Sequence, residues 1–417
     1  DTTVSKLSTT FVHLDRGKDT AWGLEFVAKG EADAFLELVR VHAERSTVGG
    51  MRRRATALLK RRQSTAAKLA AEEPHVAESQ EKEYFDYYAS FTHQQLMLED
   101  HVRTGAYFDA ITSNSDVFTG ATVVDVGAGT GILSLFAAMA GATEVVAVEA
   151  SSMAKHARHF VEDNGCSHII TVVEAKVEEC DLPTADILVS EPMGFLLLNE
   201  QMIQSYIVAR NRCLRPGGQM FPHAARIYAA PFVDSALWDE RHNRSKFWTQ
   251  DDFFGVNMQA LHPFADAHYL AQPIFDYCPL ENLVVSVEEA VSTTIDFLTC
   301  EVEDLAEVTL SWDFEVEDGG VVHGLCTWFD VVMGHPPNDV VLSTAPDHAG
   351  TCWYQVRLLF RTPLVFSRGQ HMRGTMRMTA NDKRSYDIEI RHGDSEDDIP
   401  ADVYFLQDPV YRYYGAQ

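Results

Sequence analysis

The sequence is short of basic charge, of clustered cysteines and of long apolar runs, and each shortage closes off a class of function. Lysine and arginine number 34 against 61 aspartates and glutamates, a formal net charge of −27. Such a surface repels a phosphate backbone, so no direct nucleic-acid partner is expected. Its attraction runs toward basic chains such as arginine-rich histone tails or RNA-binding proteins, unless the charge merely serves solubility. The seven cysteines are scattered and odd in number, without C-x-x-C or His-Cys clustering, so no metal site is expected and a reducing compartment is the simplest setting. No apolar stretch approaches the roughly 18 residues that span a bilayer, and no secretory signal opens the chain, so no membrane partner is expected. Asp1 stands first where a methionine would, and the chain is expected to be a piece of a longer protein.

What is present is a chain of 417 residues with 46% hydrophobic side chains, enough for two or three domain cores. The segment Ser190-Glu191-Pro192-Met193-Gly194-Phe195-Leu196-Leu197-Leu198-Asn199-Glu200 is apolar and closed at each end by a carboxylate. Two glutamates at the feet of a hairpin-like loop can aim into one pocket and accept hydrogen bonds from a planar cation, for which a guanidinium is the natural guest. The run before it, 185–190, reads as a buried parallel strand, which sets Glu191 at a strand's carboxyl end. Upstream, 121–126 reads as another strand running into Gly127-Ala128-Gly129-Thr130-Gly131 and a helix over 132–140. A glycine-rich turn at that place lets backbone approach a ligand. The next strand, 144–148, ends in Glu149, where nucleotide-binding sheets hold ribose hydroxyls. The glycine spacing departs from G-x-G-x-x-G, which favours a nucleoside without phosphates; S-adenosylmethionine fits.

Asp125–Gly131, Val148–Ser151 and Ser190–Glu200, together with Tyr84–Tyr88, Met97–Gly105 and Thr351-Cys352-Trp353, resemble in order and spacing the motifs of protein arginine methyltransferases. The likeness covers roughly residues 80 to 417 and is nearest to the coactivator-associated branch of that family. It implies an α/β plus β architecture: a Rossmann-like S-adenosylmethionine methyltransferase domain, then a β-barrel domain with an inserted helical dimerisation arm, after a partial pleckstrin-homology-like module. It also implies that Glu191 and Glu200 are catalytic and that Tyr88, Met193, Asn199 and Trp353 complete the arginine slot. Cofactor binding is implied for Tyr84, Phe85, Tyr88, Gln94, Met97, Arg103, Gly127, Gly129, Gly131, Glu149, Val177, Glu178 and Ser205. In that scheme Arg103 pairs with the cofactor carboxylate, Glu178 accepts from the adenine amino group, and Met97 accompanies asymmetric dimethylation. S-adenosylhomocysteine is the product.

The expected domains are a partial module at 1–48 with strands near 10–14 and 22–27 and a helix over 31–44, a basic linker helix at 49–80, the N-terminal helices and methyltransferase domain at 81–222, and the barrel at 223–417 with its arm at about 236–270. The basic run near Met51–Arg62 reads as a solvated linker helix or a patch for nuclear import or an acidic partner. Tyr84, Phe85 and Tyr88 have helical spacing and read as core or, by resemblance, as a lid over the cofactor. A helix over 201–214 is stopped by Arg215-Pro216-Gly217-Gly218. Beyond Pro222 the runs 284–287, 293–297, 308–312 and 386–390 alternate as half-buried strands, with Asp318-Gly319-Gly320 a hairpin turn between two of them. The aromatic-rich 238–269 lacks alternation and reads as the arm of a homodimer.

One position departs from the family. Most members carry a histidine where Cys352 stands, paired with the acid corresponding to Asp100, so a histidine–aspartate relay is missing unless His348 or His101 substitutes. The favoured expectation is therefore an arginine methyltransferase forming mono- and asymmetric dimethylarginine, nuclear and cytoplasmic. A catalytically weak scaffold that binds S-adenosylmethionine, and a small-molecule methyltransferase, are the alternatives.

Overall fold

The strand over Thr122–Val126 carries valines at three of five positions and is buried along four of them, so it needs cover on both faces. It lies at the centre of the cover it needs. The computed structural model describes residues 84–393 and 401–412 and, nearer the amino terminus, the backbone of three strands. The chain divides into two units, Asp1–Val76 and Ala77–Gln417. In the first, β1 (Thr3–Lys6), β2 (Phe11–Asp15) and β3 (Ala21–Glu25) pair antiparallel in sequence order. The helix expected over 31–44, the basic linker helix at 49–80 and the reading of this unit as pleckstrin-homology-like rest on residues outside those described.

In the second unit, residues 84–88 are helical, followed by α1 (Phe91–Glu99) and α2 (His101–Ser113). Asp100 accepts from the Arg103 backbone N–H and so caps α2. A short α3 (Ser115–Phe118) then leads into a parallel sheet. Its strands are β4 (Thr122–Val126), β5 (Glu144–Glu149), β6 (Ile170–Glu174), β7 (Ala185–Ser190) and β8 (Leu214–Phe221), in the order β6-β5-β4-β7-β8. The helices α4 (Ile132–Met139), α5 (Met153–Asp163) and α6 (Met202–Cys213) connect them. In register, Val126 stands opposite both Val148 and Ser190. Gly127, Glu149 and Glu191 therefore leave three adjacent strands side by side at the carboxyl edge, where the strand order reverses and ligands bind.

The remainder is antiparallel, apart from one parallel pair. A seven-stranded sheet takes β9 (Ala224–Phe232), β10 (Ile274–Asp276), β11 (Val291–Asp296), β13 (Gly320–Met333), β14 (Val340–Ser343), β15 (Gln355–Phe366) and β19 (Val410–Tyr411). A four-stranded sheet takes β12 (Glu307–Val316), β16 (Gln370–Ala380), β17 (Tyr386–His392) and β18 (Asp402–Phe405). Strand β12 alternates without a break, burying Val308, Leu310, Trp312, Phe314 and Val316, the pattern of a sheet with one wet face. After β9 come α7 (Ser235–Ser245) and α8 (His262–Leu270), and between and on them Phe254 and Phe264 are about three-quarters exposed.

The α/β-plus-β architecture and the helical insertion are as expected, while three local expectations are corrected. Arg215–Gly218 does not merely follow the end of a helix: it lies inside β8 as a bulge between the paired residues Leu214 and Gln219, with Gly217 at φ 76°. Residues 284–287 form no strand. Ser286 and Glu289 cap each other reciprocally and draw the chain into a 3₁₀ turn instead. Asp318-Gly319-Gly320 does make a tight turn, yet β12 and β13 belong to different sheets, so it joins sheets and closes no hairpin.

Arg357 on β15 is 1% exposed and fixes β10 by its ion pairs, with both carboxylate oxygens of Asp276 and, at 2.7 Å, with Asp234. Removing the cation strands buried carboxylates, so Arg357→Leu is expected to cost about 3–5 kcal/mol, read as a lowered urea midpoint.

Candidate active site

The floor of the site is the turn after β4. Gly129 has φ 54°, a backbone conformation that strains any other residue, and the end of the Gln94 side chain from α1 lies against it. Glu149 is fixed from below: Oε2 accepts from the Gly129 N–H at 2.8 Å and Oε1 from the Ser151 N–H at 2.7 Å. Each oxygen keeps a second lone pair for a hydroxyl donor.

The wall is the loop from Glu191 to Glu200, which is held under strain. Leu196, Leu197, Glu200 and Gln201 all have positive φ between 50° and 72°, a conformation that costs non-glycine residues on the order of 1 kcal/mol or more each. Gly194 has no room for a side chain, since a Cβ would lie 2.0 Å from the Asn199 carbonyl oxygen. Braces from both domains hold the strain in place. Ser190 Oγ donates to the Val126 carbonyl and Tyr107 OH to the Ser190 carbonyl, both at 2.7 Å. From the barrel, Trp353 Nε1 donates to the Met193 carbonyl at 3.0 Å and Ser385 Oγ to Asn199 Oδ1 at 2.6 Å. Gln201 Nε2 donates back to the carbonyls of Asn381 and Ser385. Phe195 packs on Phe275 of β10 with ring centroids 4.2 Å apart.

The two glutamates meet different partners. Arg103 donates from Nε at 2.9 Å and Nη2 at 2.6 Å to Glu191 Oε2, while its Nη1 donates to the Met97 carbonyl. Burial pushes Glu191 up and the Arg103 cation works against that. Glu200 accepts from Tyr88 OH at 2.5 Å and also from Tyr84. Although its carboxylate meets the cavity, protein surrounds it closely, and burial pushes it up to about 7, with the nearby Glu191 charge adding to the rise and the two phenols opposing it. Burial also raises both phenols, so they remain donors.

These groups enclose a cavity of about 400 Å³, room for one ligand of nucleoside size or somewhat more. Tyr84, Phe85, Tyr88, Gln94, Met97, Arg103, Gly127, Gly129, Glu149, Val177, Glu178 and Ser205 all line it, as do Met193, Glu191 and Glu200. Gly131 does not; it sits at φ 85° as the cap of α4. Asn199 and Trp353 also stand outside the lining and act as braces of the loop. Glu178 accepts from Ser205 Oγ at 2.6 Å, and Arg212 holds the 177–180 turn through the Val177 and Cys180 carbonyls. Arg103 engages Glu191, so a cofactor carboxylate would share a cation already committed to the catalytic loop.

Cys352 lies beside this pair, its N–H donating to Asp100 Oδ2 at 2.7 Å. Burial, with Glu191 and Asp100 nearby, pushes its thiol far above the usual range. His348 is exposed and turned to Asp347, and His101 is exposed, so neither takes the missing histidine's place. Two residues here carried no sequence signal: His93, whose ring stands edge-on to Tyr88 at 4.8 Å, and Arg384, which reaches the cavity from the barrel.

The comparisons point the same way for both domains. A profile described as a methyltransferase domain matches residues 123–218, and one described as the arginine methyltransferase oligomerization subdomain matches residues 223–395. A probable histone-arginine methyltransferase CARM1 of Oryza sativa subsp. indica is 46% identical over 314 residues, 75% of this chain and 59% of that protein. The chain thus spans well under two thirds of that relative's length. Among solved structures, Arabidopsis thaliana protein arginine methyltransferase 10 is 32% identical with a TM-score of 0.69, covering 78% of this chain and 100% of its own. The Trypanosoma brucei PRMT1 enzyme-prozyme heterotetrameric complex with AdoHcy is 32% identical with a TM-score of 0.66, over 76% and 99%.

Because Glu200 is ionised in the folded protein only above about pH 7, against 4.5 as its ordinary value, the native state binds the extra proton between these limits and loses stability as pH rises through them. Glu200→Gln removes that cost, and its thermal stability relative to wild type is expected to improve from pH 4.5 to pH 8 by up to about 3 kcal/mol in a pH series of melting curves.

Proposed function

The chain belongs to the protein arginine methyltransferase family, and on that premise we propose that it transfers methyl groups from S-adenosylmethionine to arginine side chains of basic proteins. The observation that carries this reading is the convergence of Glu191 and Glu200 on a cavity whose other end is formed by the glycine turn and Glu149. Histone tails and arginine-rich RNA-binding proteins are the expected substrates, and mono- and asymmetric dimethylarginine the products. Homodimers form through the arm of α7 and α8, with Phe254 and Phe264 among its contacts. Nuclear and cytoplasmic residence is part of the same proposal, supported by the basic run near Met51–Arg62 and by the habit of the family.

The residues present suit the cofactor. Gly127 and Gly129 line the cavity floor, where backbone would face the ligand; Glu149 would accept from its hydroxyls, Glu178 from the adenine amino group, and Arg103, shared with Glu191, would face its carboxylate. When bound, S-adenosylmethionine supplies an electrophilic methyl on a sulfonium. The protein's task is to make a guanidinium nitrogen receive it. A protonated guanidinium delocalises its lone pairs and is a poor nucleophile. Glu191 and Glu200, accepting from two different nitrogens, hold its plane and draw positive charge away from the third. Tyr88 and Tyr84 orient Glu200, and Arg103 orients Glu191. The proton freed by transfer goes to Glu200, the carboxylate closest to neutrality; the Cys352 thiol holds its own proton and takes no part.

A second reading, a scaffold that binds the cofactor but turns over slowly, is favoured by Cys352 alone. Mass spectrometry with fragmentation on an arginine-rich histone-tail peptide decides. Wild type is expected to yield mono- and asymmetric dimethylarginine, and Glu191→Gln or Glu200→Gln at least about 100-fold less; bound cofactor with no methylated arginine on any basic substrate supports the scaffold. Because substrate binding needs the ionised carboxylate, kcat/KM should rise with pH through about 7 and level off above it.

A further inference from the structure

Among the described residues that line the cavity, Arg384 is the one that comes from the barrel. It lies in the turn between β16 and β17, and its placement is not that of a loose surface arginine. Its backbone is held at φ 55°. The turn is tied to the catalytic loop on both sides of it, by Ser385 to Asn199 and by Gln201 to the carbonyls of Asn381 and Ser385. Asn381 Oδ1 closes the turn by accepting from the N–H groups of Lys383 and Ser385. The guanidinium rests over the Tyr84 ring, 4.5 Å from its centroid, and its Nε is buried without a hydrogen-bond partner. Tyr84 in turn donates to Glu200, whose carboxylate Arg384 steadies by charge.

A fixed cation thus stands beside Tyr84 and Glu200, on the barrel side of a cavity built to receive another. We propose that Arg384 is a specificity-determining residue, selecting target arginines whose immediate neighbours are uncharged or acidic over those flanked by lysine or arginine. The inference rests on the arginine methyltransferase reading. The net charge of −27 draws basic chains from a distance, but that attraction does not distinguish one arginine in a tail from the next. Arg384 acts within one Debye length, about 8 Å at physiological salt, so only residues adjacent to the target feel it. Two like charges about 7 Å apart at a protein surface repel by an amount worth about fivefold to tenfold in affinity.

The test uses two peptides of equal length, one with its arginine between two lysines and one with it between two glutamines, at about pH 8.5, above the range in which Glu200 titrates. Affinities are read by fluorescence polarisation with S-adenosylhomocysteine present, and kcat/KM with S-adenosylmethionine. Arg384→Gln is expected to improve the lysine-flanked peptide about fivefold to tenfold relative to the glutamine-flanked one, in Kd and in kcat/KM, while Arg384→Lys keeps the wild-type ratio. A ratio unchanged within about twofold, or an equal loss for both peptides, overturns the proposal. If no variant transfers methyl to either peptide, the enzymatic reading fails, and the polarisation ratios still decide the role of Arg384.

Discussion

Two carboxylates buried in one cavity set the terms for the rest of this structure. Each would rather be hydrated, and each raises the cost of ionising the other. The protein answers unequally. Glu191 receives a cation of the chain's own, Arg103, through two donors, whereas Glu200 receives phenol hydroxyls and only the weaker effect of the Arg384 charge, which makes no hydrogen bond to it. The site therefore carries one carboxylate compensated at contact distance and one compensated weakly, and a cation entering the cavity would gain most at the second. The residual demand for a cation is a recognition element obtained from desolvation.

Keeping that demand in place requires a loop that does not relax. Four non-glycine residues with positive φ within six positions would unwind in an isolated peptide. Here the loop is clamped between domains: Tyr107 and Val126 hold it from the α/β side, and Phe275, Trp353 and Ser385 from the barrel. The barrel is thus part of the site without supplying its acids. Its contribution is rigidity, together with one cation, Arg384, on the cavity wall.

What could be read in the sequence was local. The strand, turn and acid at Val126, Gly127 and Glu149, and the apolar loop with its two feet, follow from patterns a few residues long, and the parallel register then brings them together. What could not be read was set by distant partners or by competing local chemistry. Residues 284–287 alternate like a strand, but the Ser286 and Glu289 caps won; Arg215–Gly218 looks like a break, and β7 pairs on either side of it, with Leu214 and again from Gln219, so that β8 runs through it as a bulge. Asn199 and Trp353 were expected in the slot; they stand outside the cavity lining and brace the loop, Asn199 Oδ1 accepting from Ser385 and Trp353 Nε1 donating to the Met193 carbonyl. Arg384 sits in a polar turn nearly 200 residues from the loop it meets, and no spacing announces it. Cys352 was visible as a departure; only burial beside Glu191 and Asp100 shows that its thiol is no substitute base.

The most direct test of this account is calorimetric. An arginine peptide and its citrulline counterpart, which keeps the shape and loses the charge, are titrated into the protein saturated with S-adenosylhomocysteine. If the carboxylate pair recognises a guanidinium through charge-assisted hydrogen bonds, the citrulline peptide binds at least about 100-fold more weakly, and Glu200→Gln removes most of that difference. Equal affinities for the two peptides would contradict it, since the two buried glutamates would then be doing something other than holding an arginine.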